Sequence, residues 1–109
     1  MATIEDFDAL DLRAGRIVAV ADFPQARKPA YQLTIDFGPL GIKRSSAQLT
    51  ALYTKEALQG RLVIAAVNFP PRRIGPFLSE VLVLGVPDEQ GRVALLAVER
   101  DVPLGGRVF

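Results

Sequence analysis

The 109 residues include no cysteine, no histidine and no tryptophan, and only one methionine. Without cysteine there is no disulfide framework, thiolate nucleophile or thiolate metal site. Without histidine the chain lacks the usual general base and the commonest metal ligand. Long apolar runs are missing too. The longest, Leu62 to Val67 and equally Val93 to Val98, have six residues, against the ~20 needed to span a bilayer as a helix. The first bases come only after Glu5, Asp6, Asp8 and Asp11, the reverse of a secretory leader's basic start. A soluble, cytoplasmic protein without membrane insertion is expected.

Serine is scarce as well, at Ser45, Ser46 and Ser79. None sits in a G-x-S-x-G elbow, and no histidine is present to activate one. Lys43 beside Ser45 and Ser46 fits a polar strand surface better than a catalytic pair. No G-x-G-x-x-G or phosphate-binding loop occurs. The paired carboxylates Glu5-Asp6 and Asp88-Glu89 read as a solvated helix start and turn tip. These inventories point away from an enzyme, and no cofactor or metal is implied.

What is present is apolar and basic. Half the residues are hydrophobic, more than a chain this short can easily bury. Surplus apolar surface usually marks an interface, and a two-fold homodimer is the simplest way to cover it. The net charge of +1 hides an uneven distribution. Residues 1–12 carry four acids and no base, whereas residues 13–73 carry ten bases against Asp22, Asp36 and Glu56. Such a middle either forms a positive face for nucleic acid or acidic partners, or is scattered by folding.

Strand signals dominate. Leu12–Phe23 is β-branched, with Gly15 placed to mark a bulge or bend. Tyr31–Phe37 alternates cleanly, and Ile42–Gln48 follows a Gly-Pro turn. The proline-bracketed loop "FPQARKPA" carries Arg27 and Lys28. A helix is predicted within Ser46–Gly60, where Leu49, Leu52 and Tyr53 share a side and Gly60 is a natural stop. Three apolar strands are then expected, in Arg61–Phe69, Ser79–Gly85 and Arg92–Val98, with a turn at Asp88–Gly91. The first and third alternate poorly, which predicts burial on both faces. No repeat or linker interrupts the chain, so residues 1–109 are read as a single domain.

Three strands, one helix and further strands match an all-β, five-stranded Greek-key barrel of the OB type, with its helix between strands three and four. OB barrels bind single strands through a basic groove and exposed aromatic platforms. Candidates for the groove are Arg13 and Arg16 on strand one, Lys43 and Arg44 on strand three, and Arg72-Arg73 before strand five. The planar guanidinium fork suits phosphate. Phe69 and Phe77 lie beside prolines at strand ends, where either lines a shallow apolar pocket or completes the core.

Three motifs carry a resemblance over essentially the full length: "DLRAGRIV" (Asp11–Val18), "GIKRSSAQL" (Gly41–Leu49) and "VNFPPRRIGPFLSEVLVLG" (Val67–Gly85). Together they resemble the CsaA family of export-related chaperones and, more distantly, the tRNA-binding modules appended to methionyl- and phenylalanyl-tRNA synthetases. The resemblance implies an OB barrel forming a homodimer, with terminal extensions at the interface. It implies tRNA recognition through Lys43, Arg44, Arg72 and Arg73, with Asn68, Ser79 and Glu80 as polar motif positions. It also implies binding of unfolded or pre-export polypeptides in apolar pockets, for which Phe69, Ile74 and Phe77 are chosen on position, and the export machinery as a further partner. Where the synthetase modules read S-E-G-M, this chain reads "SEVLV" after "IGPFL". The added apolar surface favours the polypeptide-binding branch over a dedicated tRNA-binding protein.

Overall fold

The computed structural model describes residues 1–109. Alternation in the sequence becomes a barrel through three long strands. β1 (Leu12–Asp22) pairs antiparallel with both β2 (Tyr31–Asp36) and β4 (Leu62–Ala66), and β2 pairs with β3 (Ile42–Ala47). On β2, Tyr31, Leu33 and Ile35 turn inward and are buried, while Gln32, Thr34 and Asp36 are half-buried. Ile17, Leu33, Ile35, Phe37, Leu58 and Val63 are fully enclosed, each burial worth about 1.5–3 kcal/mol relative to exposure.

The sheet order is β3-β2-β1-β4-β7, with β7 at Leu82–Val83. Its two edges meet largely through side chains rather than a full ladder. Glu80 N donates to Arg44 O (2.8 Å), and Arg44 N to Glu80 Oε1 (3.0 Å). Ser46 N donates to Ser79 Oγ (3.0 Å), and the buried Ser45 hydroxyl to Val81 O (2.9 Å). The result is the nearly closed five-stranded OB barrel expected from the sequence. No helix is long and apolar enough to cross a membrane.

Two hairpins decorate the barrel: β5 (Arg72–Ile74) with β6 (Phe77–Ser79), and β8 (Gly85–Pro87) with β9 (Val93–Leu95). The run Ser79–Gly85, expected as one strand, is therefore divided among β6, β7 and β8. Val81 between them sinks into the core, which forces the break. β9 is half-buried rather than covered on both faces, because it belongs to a hairpin outside the barrel. In contrast, β4 has four consecutive buried residues, as its poor alternation predicts.

The predicted helix is shorter than Ser46–Gly60. Ser46 and Ala47 stay in the β3 ladder, and helix α2 spans only Lys55–Leu58. Thr54 starts it afresh by accepting from Ala57 N (3.1 Å), and Gly60 ends the turn with a φ of 82°. Gly15 is not at the bulge, which falls between Ile17 and Ala19. It is needed instead for close approach, since a Cβ there would lie 2.7 Å from Ile35 Cγ2 and from the Phe37 ring.

The ends of the chain are tied together. Helix α1 (Ile4–Ala9) starts in a capping box between Thr3 and Asp6. Asn68 then clamps its exit, accepting from Asp11 N (3.0 Å) and donating to Ala9 O (2.8 Å). Residues 105–108 lie along β1, with Ala14 N donating to Gly106 O and Val108 N to Leu12 O.

Candidate functional site

The motif residues divide between building the barrel and lining a groove beside it. Ser79 and Glu80 hold the outer edge of β3, and Asn68 holds the N-terminal segment. Arg13 is also engaged internally. Its guanidinium donates to Asp11 (2.6 Å) and to Gly105 O (2.9 Å), and Arg107 shares the same carboxylate at 3.6 Å. This spends the charge of Arg13 on tethering the C-terminal segment, which removes it from a free basic rim.

Arg72 and Arg73 are adjacent in sequence but diverge in space. Residues paired across an antiparallel hairpin share a face. Arg72 pairs with Ser79 and Ile74 with Phe77, while Arg73 pairs with Leu78 on the opposite face. The pair, expected just before a strand, lies within one, and the strand's period of two separates the two side chains. Phe77 packs into the interior and is absent from the lining of the groove. It is 3% exposed, packed 5.2 Å from the Phe23 ring with the Arg44 guanidinium 4.5 Å above its own. That contact gains about 0.5–2 kcal/mol and anchors the β5–β6 hairpin to the outer face of β3. Arg44 also reaches Gln32 Oε1 (3.3 Å), so it is committed locally.

A groove of about 670 Å³ opens between the β1–β2 loop, the end of β3 and the β4–β7 connection. Its lining includes Leu49, Val81, Val83, Val93 and Ile74, with Phe69 as its single aromatic and Arg27, Lys28 and Arg72 as its cations. Phe69 is 41% exposed. Of the candidate residues, the groove gathers Phe69, Arg72, Ile74, Ser79 and Glu80, and leaves out Lys43, Arg44, Arg73, Arg13, Asn68 and Phe77. It adds Arg27 and Lys28, whose signal was the proline-bracketed basic loop.

The groove's electrostatics are one-sided. Arg27, Lys28 and Arg72 make no ion pair or side-chain hydrogen bond; the ion pairs of the protein involve Arg13, Lys55, Arg92, Arg100 and Arg107. The one acid in the lining, Glu80, already accepts the Arg44 amide. Two titratable groups are perturbed, and both lie away from the groove. The Asp22 hydrogen bond (3.0 Å) and charge raise the Lys55 pKa. For Asp88, partial desolvation pushes upward, but hydrogen bonds from Arg92 and Gln90 outweigh it and hold the carboxyl below its ordinary range. No group of three or more potential metal ligands is assembled.

A family model described as "Putative tRNA binding domain" matches residues 12–107. Among curated proteins, methionine–tRNA ligase 1 of Sorangium cellulosum is 41% identical over 97% of this chain, but the match covers 15% of that protein. The chain thus spans about a seventh of the length of the ligases it matches. Among solved structures, the chaperone CsaA of Bacillus anthracis superposes with a TM-score of 0.94 at 50% identity, covering 100% of this chain and 99% of that one. The CsaA chaperone of Picrophilus torridus gives 0.93 at 47% identity, with full coverage of both chains.

Proposed function

The chain belongs to the family of tRNA-binding domains, and from that premise we propose that it is a dimeric chaperone of the CsaA type. It would hold unfolded or pre-export polypeptides in the groove between the β1–β2 loop and the β4–β7 connection. The observation that carries this reading is the groove's character: an aliphatic floor where OB barrels receive their ligands. The two solved structures named above are of chaperones matched along their whole lengths, whereas the ligases are matched over a small part. The action is passive, sequestering apolar side chains without turnover of any cofactor. The protein works in the cytoplasm, where export substrates are still unfolded, and hands them to the export machinery. Apolar residues exposed near the joined chain ends, Ile4 and Leu10 among them, form the dimer face.

A second reading, tRNA binding, is favoured by cations without ion-pair partners: Lys43 and Arg73 outside the groove, and Arg27, Lys28 and Arg72 within it. Phosphate contacts release counterions and weaken steeply with salt, whereas apolar burial does not. Binding of an unfolded client protein and of tRNA is therefore compared across a salt series, for the wild type and for Arg72→Ala/Arg73→Ala. The chaperone reading expects client binding that persists in high salt and in the double variant. Loss of client binding in both conditions, with salt-sensitive tRNA binding intact in the wild type, would replace it with the second reading.

A further inference from the structure

We propose that the groove selects extended polypeptide segments whose aliphatic side chains are flanked by Asp or Glu. This rests on the chaperone reading and specifies its client chemistry. Three observations converge on it. First, the floor is aliphatic. Leu49, Val81, Val83, Val93 and Ile74 offer no flat ring, and Phe69 is the sole aromatic of the lining. Successive bases stack on a series of exposed aromatic faces, and a lining with one ring among aliphatic side chains suits branched side chains better than a run of nucleobases.

Second, the rim is cationic and unneutralised. Arg27 and Lys28 come from the β1–β2 loop, and Arg72 comes from β5. They therefore reach the groove from separate elements, and none has an acidic partner. Glu80, the only acid in the lining, is occupied by Arg44 N. A bound acidic flank thus meets three cations against the single carboxylate of Glu80, a net attraction, whereas a basic flank meets net repulsion.

Third, the wall offers a strand edge. β3 ends at Ala47, and the exposed Gln48 that follows makes no backbone hydrogen bond with the rest of the chain. Gln48 is part of the groove lining, so an extended segment bound there would have an unpaired backbone N–H and C=O available to continue the ladder past the end of β3. Strand addition supplies affinity through the main chain and specificity through alternate side chains. An extended segment presents aliphatic side chains to the floor and its flanks to the rim.

The test uses three fluorescein-labelled nonapeptides with the same Leu/Val centre and Asp/Glu, Ser or Lys flanks, titrated into the full chain by anisotropy. The expected order is acidic, then neutral, then basic. Exposed ion pairs are individually weak, so the acidic peptide should bind about tenfold tighter than the neutral one at low salt, with the gap closing as salt rises. Arg27→Gln/Lys28→Gln/Arg72→Gln should abolish the difference between the acidic and the neutral peptide, both measured on the variant. A thermal melt of the variant matching the wild type shows that the fold is intact. Equal binding of all three peptides, preference for Lys flanks, or acidic preference surviving in the triple variant overturns the inference while the chaperone reading stands. Failure of all three peptides in the wild type overturns the chaperone reading itself. Displacement of the acidic peptide by an unstructured RNA, lost in the triple variant, assigns the groove to RNA and also overturns the inference.

Discussion

Ser45 is wholly buried on β3, opposite Leu33, and its hydroxyl closes the barrel by donating to Val81 O at 2.9 Å. No buried side-chain polar atom of the protein lacks a partner, so the seam depends on such bonds being complete. Ser45→Ala leaves the Val81 carbonyl without its donor in a dry setting, at a cost of about 1–3 kcal/mol. For a domain of this size the melting temperature should fall by about 5 °C or more. An unchanged midpoint would mean that the seam is held elsewhere. The same scale explains why "NFPPRRIGPFLSE" misleads as a string. Asn68, Ser79 and Glu80 look like ligand-facing polar residues, yet their partners are backbone groups of α1, the α1–β1 connection and β3. Sequence spacing shows that these positions are polar, but which way each side chain turns is settled only by the docking of the hairpin.

Legibility changes from one element to the next for physical reasons. β2 is readable because one face is core and the other is not, which writes a period of two into "YQLTID". The β5–β6 hairpin is not readable, because strands of three residues carry no periodicity. Its conformation comes from Phe77 wedged between Phe23 and Arg44, residues distant in sequence. Gly75, at a φ of 58°, allows the tight turn. The groove inherits this difficulty. Phe69, Arg72 and Ile74 were visible as candidates, whereas Arg27 and Lys28 join them only once the β1–β2 loop folds across.

The β8–β9 hairpin, by contrast, is tied by a pattern that a pH change can undo. Asp88 accepts from Gln90 N (3.0 Å), Arg92 N (2.8 Å) and Arg92 Nε (2.8 Å). A carboxyl held lower in the folded protein than in the unfolded chain stabilises above the unfolded pKa and loses that contribution as pH falls through the folded one. Amide exchange at Gln90 and Arg92 should therefore quicken relative to the barrel strands on acidification below the ordinary carboxylate range, and Asp88→Asn should reproduce part of the change at neutral pH. Protection independent of pH in the wild type would exclude the carboxylate as the tie.

At the scale of the whole molecule, the two ends of the chain are locked together at the N-terminal end of β1. Asn68 and Arg107 hold the stretch after α1, and residues 105–108 run beside it. This ordering has a cost in conformational entropy, yet α1 buries no residue in its own chain. Ile4 is 68% exposed, and Leu10 is also exposed. A short helix tied down at its C-terminal end, with Ile4 and the adjoining Leu10 outward, is accounted for if a second copy covers it, since two-fold self-association buries the same patch twice. Light scattering should then give about twice the chain mass of 11.8 kDa, with little dependence on salt because the contact is apolar. Ile4→Glu/Leu10→Glu should shift the mass to that of the monomer while far-UV dichroism keeps its strand signature, since neither side chain belongs to the barrel core. A wild type that runs as a monomer at micromolar concentration would remove the dimer from the proposed function. A double variant that stays dimeric would move the interface to another apolar surface, with Val86 and Leu96 of the outer hairpin region the next to test.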